Sequence, residues 1–150
     1  SRRLVYFHLL GDKALMLSAF QPGASRAEQT ALSVGFAPLT ALMRKSMKID
    51  REGAARSRDY SLAIFREVGA RMSDGRRYLT GDRFTAADLT FAALAAPLVL
   101  PPEYGWPLPA LDRLAAGMQS EARHFRATVA GELLLRLYRE DRKQVIAIGG

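Results

Sequence analysis

The sequence predicts an all-helical bundle of six or seven helices, on three observations. Apolar residues recur at three- and four-residue intervals along most of the chain, the signature of amphipathic helices. No segment shows the two-residue alternation of a half-buried strand. Helix start and stop signals punctuate the chain at regular intervals: Ser25, Asp50 and Thr85 as caps, Gly75 and several prolines as stops. With 150 residues, 49% hydrophobic and 25% charged, the chain reads as a single globular helical domain over 1–150 with ample material for a core.

Arg2 to Leu10 is apolar nearly all round, which predicts a buried helix that begins abruptly. Gly11-Asp12 weakens it, Lys13 to Phe20 resumes it, and Gln21-Pro22-Gly23 is a turn. Ser25 with Glu28 three residues on makes a capping box for the next helix. There Leu32, Phe36, Leu39, Met43 and Met47 form a continuous stripe, and Pro38 within it predicts a kink or a break into two helices. Asp50 caps a long helix that runs through Tyr60, Leu62, Phe65, Val68 and Met72 and stops at Asp74-Gly75.

The strongest local signal is Gly75 to Pro97, GRRYLTGDRFTAADLTFAALAAP. Thr85 is an N-cap and Asp88 can reach back to its amide, a capping box with Asp in the place of Glu or Gln. Phe84 before the cap and Leu89 in the first turns are placed for a hydrophobic staple. The apolar, alanine-rich stretch that follows predicts a helix buried on most sides in the middle of the bundle, ended by Pro97. Pro101, Pro102 and Pro107 make 101–109 a loop bearing Tyr104 and Trp106. Pro109 opens a short helix with Leu111, Leu114, Ala115 and Met118 on one face. A last helix spans Phe125 to Glu140, and 143–150 reads as a frayed tail.

These residues resemble a family. Tyr78-Leu79, then Gly81-Asp82-Arg83-Phe84-Thr85-Ala86-Ala87-Asp88, is similar to the capped-helix motif in the C-terminal helical domain of cytosolic glutathione transferases. The resemblance implies that Thr85 and Asp88 cap a central core helix and guide folding. It also implies an N-terminal thioredoxin-like domain that binds glutathione as co-substrate and supplies the catalytic residue. Nothing in this sequence resembles that domain, so the chain looks like the helical domain alone. On that footing it binds no cofactor itself, is inactive by itself, contributes to a homodimer, and provides an apolar wall for a small hydrophobic electrophile. The first helix is then expected to face the substrate cleft, which nominates Tyr6 and Leu10, with Tyr104 and Trp106 from the late loop.

Other chemistries find little support. The chain has no cysteine, hence no disulfide, thiolate ligand or thiol nucleophile, which fits a cytoplasmic setting. His8 and His124 are the only histidines and stand far apart, so a zinc site or a catalytic base is disfavoured and no catalytic residue is assigned. There is no nucleophile elbow and no glycine-rich phosphate loop. The basic-then-apolar start lacks the uninterrupted core and small-residue site of a signal peptide, and the longest apolar run is too short to span a bilayer.

A net charge of +7 favours anionic partners in general. Arg44, Lys45, Lys48 and Arg51, continuing to Arg56 and Arg58, read first as a solvated helix face; with the Met and Phe stripe beside them they also suit a membrane surface. Nucleic acid is disfavoured, because aromatic residues are not interleaved with the basic ones. The rival to the transferase reading is therefore a non-catalytic helical module for protein association, with an anionic or membrane partner.

Overall fold

The computed structural model describes residues 2–11, 25–105 and 110–142. Among them the regular structure is helical, apart from one isolated bridge between Tyr78 and Gly81. The order is α1 (Arg2–Leu9), α2 (Arg26–Ser46), α3 (Arg51–Met72), α4 (Ala86–Val99), a 3-10 turn (Leu111–Arg113), α5 (Ala116–Arg126), α6 (Val129–Arg136) and a π-helical turn (Leu137–Asp141). The predicted segments 13–20, 106–109 and 143–150 lie outside the described residues.

The caps foreseen at Ser25 and Asp50 are formed. Ser25 Oγ accepts from the Glu28 amide at 3.3 Å while the Ser25 amide donates to Glu28 Oε2 at 2.7 Å. Asp50 Oδ1 accepts from the Gly53 amide at 2.6 Å. These bonds satisfy first-turn donors that the helices themselves leave unpaired.

The core is the meeting of α1, α3, α4, α5 and α6. Phe65 of α3 lies between Phe91 of α4 (ring centroids 5.5 Å apart) and Phe125 of α5 (4.7 Å), both edge-on. Leu98, Val99, Met118 and Leu134 close around them with almost no exposure. Edge-to-face rings add specific geometry to the apolar burial that drives the packing.

Several elements differ from the sequence reading. Helix α2 runs through Pro38 in one piece: the residues around the proline are exposed, so the carbonyl it leaves unpaired can be hydrated. Its predicted stripe holds at the half-buried Phe36, Met43 and Met47 but not at Leu39, which is 51% exposed. Pro97 likewise sits inside α4, which ends three residues later at Leu100 in a left-handed conformation (φ 53°). Ala93, whose carbonyl Pro97 cannot pair, is on the exposed side. The helix predicted over Phe125 to Glu140 is two. Phe125 belongs to α5, and Thr128 caps α6 by accepting from the Gly131 amide at 3.0 Å. A threonine followed three residues later by glycine is a weak signal against a continuous apolar stripe, so the break was overlooked.

Helix α4 is not buried on most sides. Phe91, Ala92, Ala95, Ala96, Leu98 and Val99 face the core, whereas Leu89 and Leu94 are 59% and 65% exposed. An all-apolar helix carries no polar face to betray which side meets solvent, so its periodicity is silent on this point.

Candidate functional site

The chain enters α4 through residues 76–85, and one carboxylate organises that segment. Asp88 is fully buried. Its Oδ1 accepts from the Leu79 amide at 2.8 Å, and its Oδ2 accepts from the Thr85 amide at 2.9 Å and the Thr85 hydroxyl at 3.0 Å. The last two bonds close the start of the helix, as the spacing foretold. The first reaches nine residues back and pins the turn in which Tyr78 and Gly81 exchange backbone hydrogen bonds of 2.8 and 3.1 Å. A buried carboxylate bonded only to donors on its own approach segment has a structural task. It faces no cleft.

The Phe84 ring has its aromatic neighbour on the approach segment. Leu89 points outward, and Phe84 packs edge-on against the Tyr78 ring at 5.9 Å. The buried Tyr78 ring, whose hydroxyl donates to Asp141 Oδ1 at 2.8 Å, offers Phe84 a surface nearer the core than Leu89 could.

Beyond that turn, between α3 and α4, lies an open groove of about 730 Å³. Ile64, Phe65 and Val68 of α3 form one wall, and Ala87, Phe91 and Leu94 of α4 the other. Leu79 and Thr80 close one end. The size falls within the range of sites for small ligands. The exposed Ile64 and Leu94 rim it, with Tyr60 one turn before Ile64 also exposed. The polar groups in reach are Ser61, Glu67, Arg71, Thr80 and Thr90. Glu67 and Arg71 are already paired at 2.9 Å. The groove can hold an apolar body, and it brings no nucleophile and base together.

The residues nominated for an apolar wall are not gathered here. Leu10 is 4% exposed and is not among the groove residues. Tyr6 is half-buried on α1 and is not among the groove residues. Tyr104 pairs with Tyr138 (centroids 6.1 Å apart), whose other neighbour is the Arg142 guanidinium. Burial raises the Tyr138 phenol above its ordinary pKa, with the Arg142 charge opposing. Trp106 lies outside the described residues. What the sequence reading missed is Ile64 and Leu94, whose signal was their apolar character on helices with apolar residues to spare.

His8 occupies a second junction, between α1, α3 and α5. Its ring meets Phe7 edge-on at 5.4 Å and lies against the backbone of Gly117, where a Cβ would come within 2.7 Å of Cε1. Across the same junction Arg58 Nε spans both oxygens of Glu121 at 2.8 and 2.9 Å. Burial lowers the His8 pKa, with the Glu121 charge opposing. The folded chain therefore holds His8 neutral where the unfolded chain, with an ordinary pKa of 6.5, is already taking up a proton. Stability is retained above that value and falls as the pH drops below it. Melting temperatures measured from pH 7.5 down to 5.5 are expected to fall, and the fall to flatten in His8→Gln. An unchanged slope in the variant would exclude His8 as the cause.

Among the described residues no group of three or more His, Asp or Glu side chains could hold a metal ion. Nor is any described helix long and apolar enough to cross a membrane.

Fold and groove together define an α-helical domain built on a capped, alanine-rich helix with an open apolar flank. Residues 51–117, from the start of α3 into α5, match the family model for the glutathione S-transferase C-terminal domain. That stretch resembles the C-terminal helical domain of the family, and the helical bundle around it is consistent with the match. No curated protein and no solved structure matches it.

Proposed function

We propose that this domain serves a glutathione transferase-like protein of the cytoplasm by supplying an apolar wall for a small hydrophobic electrophile. The observation that carries the reading is the groove between α3 and α4. It is apolar, open and rimmed by Ile64 and Leu94, side chains that a free-standing bundle would gain by burying. The wall thus moves from Tyr6, Leu10, Tyr104 and Trp106 to Ile64, Phe65, Val68, Phe91 and Leu94. Binding and ionisation of the glutathione thiol belong to a thioredoxin-like domain outside this sequence, and a homodimer is the assembly. The chain itself brings no cysteine, and its groove holds no activating pair.

The test is titration of the chain with anilinonaphthalene sulfonate, an apolar fluorophore. Saturable enhancement is expected, weakened at least tenfold in the double variant Ile64→Asp/Leu94→Asp, because two charges then stand at the rim of an apolar site. Both side chains are exposed, so the fold should persist. Equal binding by the variant would place the ligand elsewhere and overturn the assignment. Glutathione conjugation to an aryl halide by the chain alone is expected to match the uncatalysed rate.

A further inference from the structure

The basic segment noted in the sequence divides in the structure. Arg56 pairs with Glu52 and Arg58 with Glu121, so those two charges are spent within the bundle. Arg44, Lys45, Lys48 and Arg51 are exposed, and no carboxylate pairs with them among the described residues. Three of the four sit on the end of α2 or just beyond it.

Helix α2 has an unusual distribution of apolar groups. Its half-buried side carries Phe36, Thr40, Met43 and Met47. The opposite side, at Val34, Pro38, Ala41, Leu42 and Lys45, is exposed, with Val34 at 75% and Leu42 at 62%. These positions recur at three- and four-residue spacing and form one stripe. None of the described side chains of α2 belongs to the hydrophobic core. Its one described acidic residue, Glu28, is held by Ser25 at the far end, about four turns from the cations. The outward stripe is thus apolar along its middle and strongly cationic where it ends.

We propose that this face of α2, from Val34 to Lys48 with Arg51 beside it, docks on an anionic lipid membrane. An apolar stripe bordered by unpaired Lys and Arg is the arrangement that lies in the interfacial plane. Val34 and Leu42 enter the acyl boundary while the cations meet lipid phosphates and carboxylates. Lysine suits the boundary, because its apolar stem lies along the stripe and its ammonium reaches outward. The charge of the whole chain, +7, adds a favourable long-range field. The chemistry on the page selects this occupant. A second copy would need acidic groups set against the four cations, and the exposed stripe of α2 offers none for a two-fold pairing with itself, whereas an anionic lipid surface answers both the apolar middle and the cationic end.

Co-sedimentation of the full chain with vesicles tests the proposal. Binding is expected to phosphatidylcholine vesicles containing phosphatidylserine and not to phosphatidylcholine alone, and to weaken steeply with added salt. Lys45→Glu/Lys48→Glu should lower the partition coefficient at least about twentyfold, since each basic residue near such a surface is worth roughly fivefold. Leu42→Ser should lower it as well, through the apolar stripe. All three side chains are exposed, and far-ultraviolet circular dichroism confirms that the fold is kept. Equal pelleting with both kinds of vesicle, or charge reversal without effect, overturns the proposal. So does loss of self-association in Leu42→Ser with no vesicle binding by the parent chain, which would give the face to a second copy. The fluorophore titration at the α3–α4 groove reads a different face, so either result can fail while the other stands.

Discussion

Replacing Asp88 with Ala is expected to be among the most damaging single changes in the chain, at about 3–5 kcal/mol. Two backbone amides, of Leu79 and Thr85, lose the acceptor they share, and Leu79 is buried. A buried donor left without a partner costs on the order of 1–3 kcal/mol, and bonds to a charged acceptor lie at the upper end of the range. The lost cap adds about 1 kcal/mol. For a domain of this size each kcal/mol moves the melting temperature by roughly 2–4 °C, so a drop of on the order of 10 °C is expected by differential scanning calorimetry. Asp88→Asn sharpens the test. It keeps the volume but turns one oxygen into a donor that must face an amide donor, so it should recover little of the loss. Recovery to near wild-type stability by Asn would mean that the carboxylate serves only one of its two partners.

A change of comparable size is expected at Gly131, for a steric reason. A Cβ there would lie 2.0 Å from the Phe125 carbonyl oxygen and 2.9 Å from the Arg126 Cα. Both are backbone atoms at the end of α5, and neither can rotate aside. The same glycine amide donates to Thr128 Oγ1, so any displacement that relieves the clash also opens the cap of α6. Overpacking a tight site typically costs 1–3 kcal/mol, and more where backbone must shift, so Gly131→Ala should lose at least about 3 kcal/mol in chemical denaturation. Gly69→Ala is the control: there the nearest atom is 3.7 Å away, an ordinary contact, and helix propensity favours alanine. If the two substitutions behaved alike, the α5–α6 junction would have to be far more yielding than its geometry indicates.

The contrast between Asp88 and the groove shows what a sequence can disclose. The bonds at Thr85 are local, spanning three residues, and local chemistry is written in local spacing. The helices were legible for the same reason, since a helix is made of contacts three and four residues apart. Reach beyond that distance was not legible. Nothing at Leu79 signals that its amide will find a carboxylate nine positions on. The side of α4 that faces solvent follows from where α5 and α6 happen to pack, so an apolar helix could be placed but not oriented. The same gap explains the shift of the proposed wall. Tyr6 and Tyr104 drew notice as aromatic residues, while Ile64 and Leu94 matter through their positions after folding. Pro38 breaks no helix and Pro97 ends none, because the carbonyls they leave unpaired, at Val34 and Ala93, lie on exposed sides where water can pair them.

One side chain of α5 has a wider influence than its place suggests. Arg126 donates from Nε to the Val99 carbonyl at 2.7 Å and from its terminal nitrogen to the Leu100 carbonyl at 2.6 Å. Those are carbonyls at the end of α4, the groups a helix ordinarily leaves to the residues that follow it. Closure of that end is therefore assigned to a neighbouring helix, and the stretch beginning at Pro101 is relieved of it. Changes at 101–105 are therefore expected to leave the end of α4 closed, whereas Arg126→Ala would strip two of its last carbonyls of their partner.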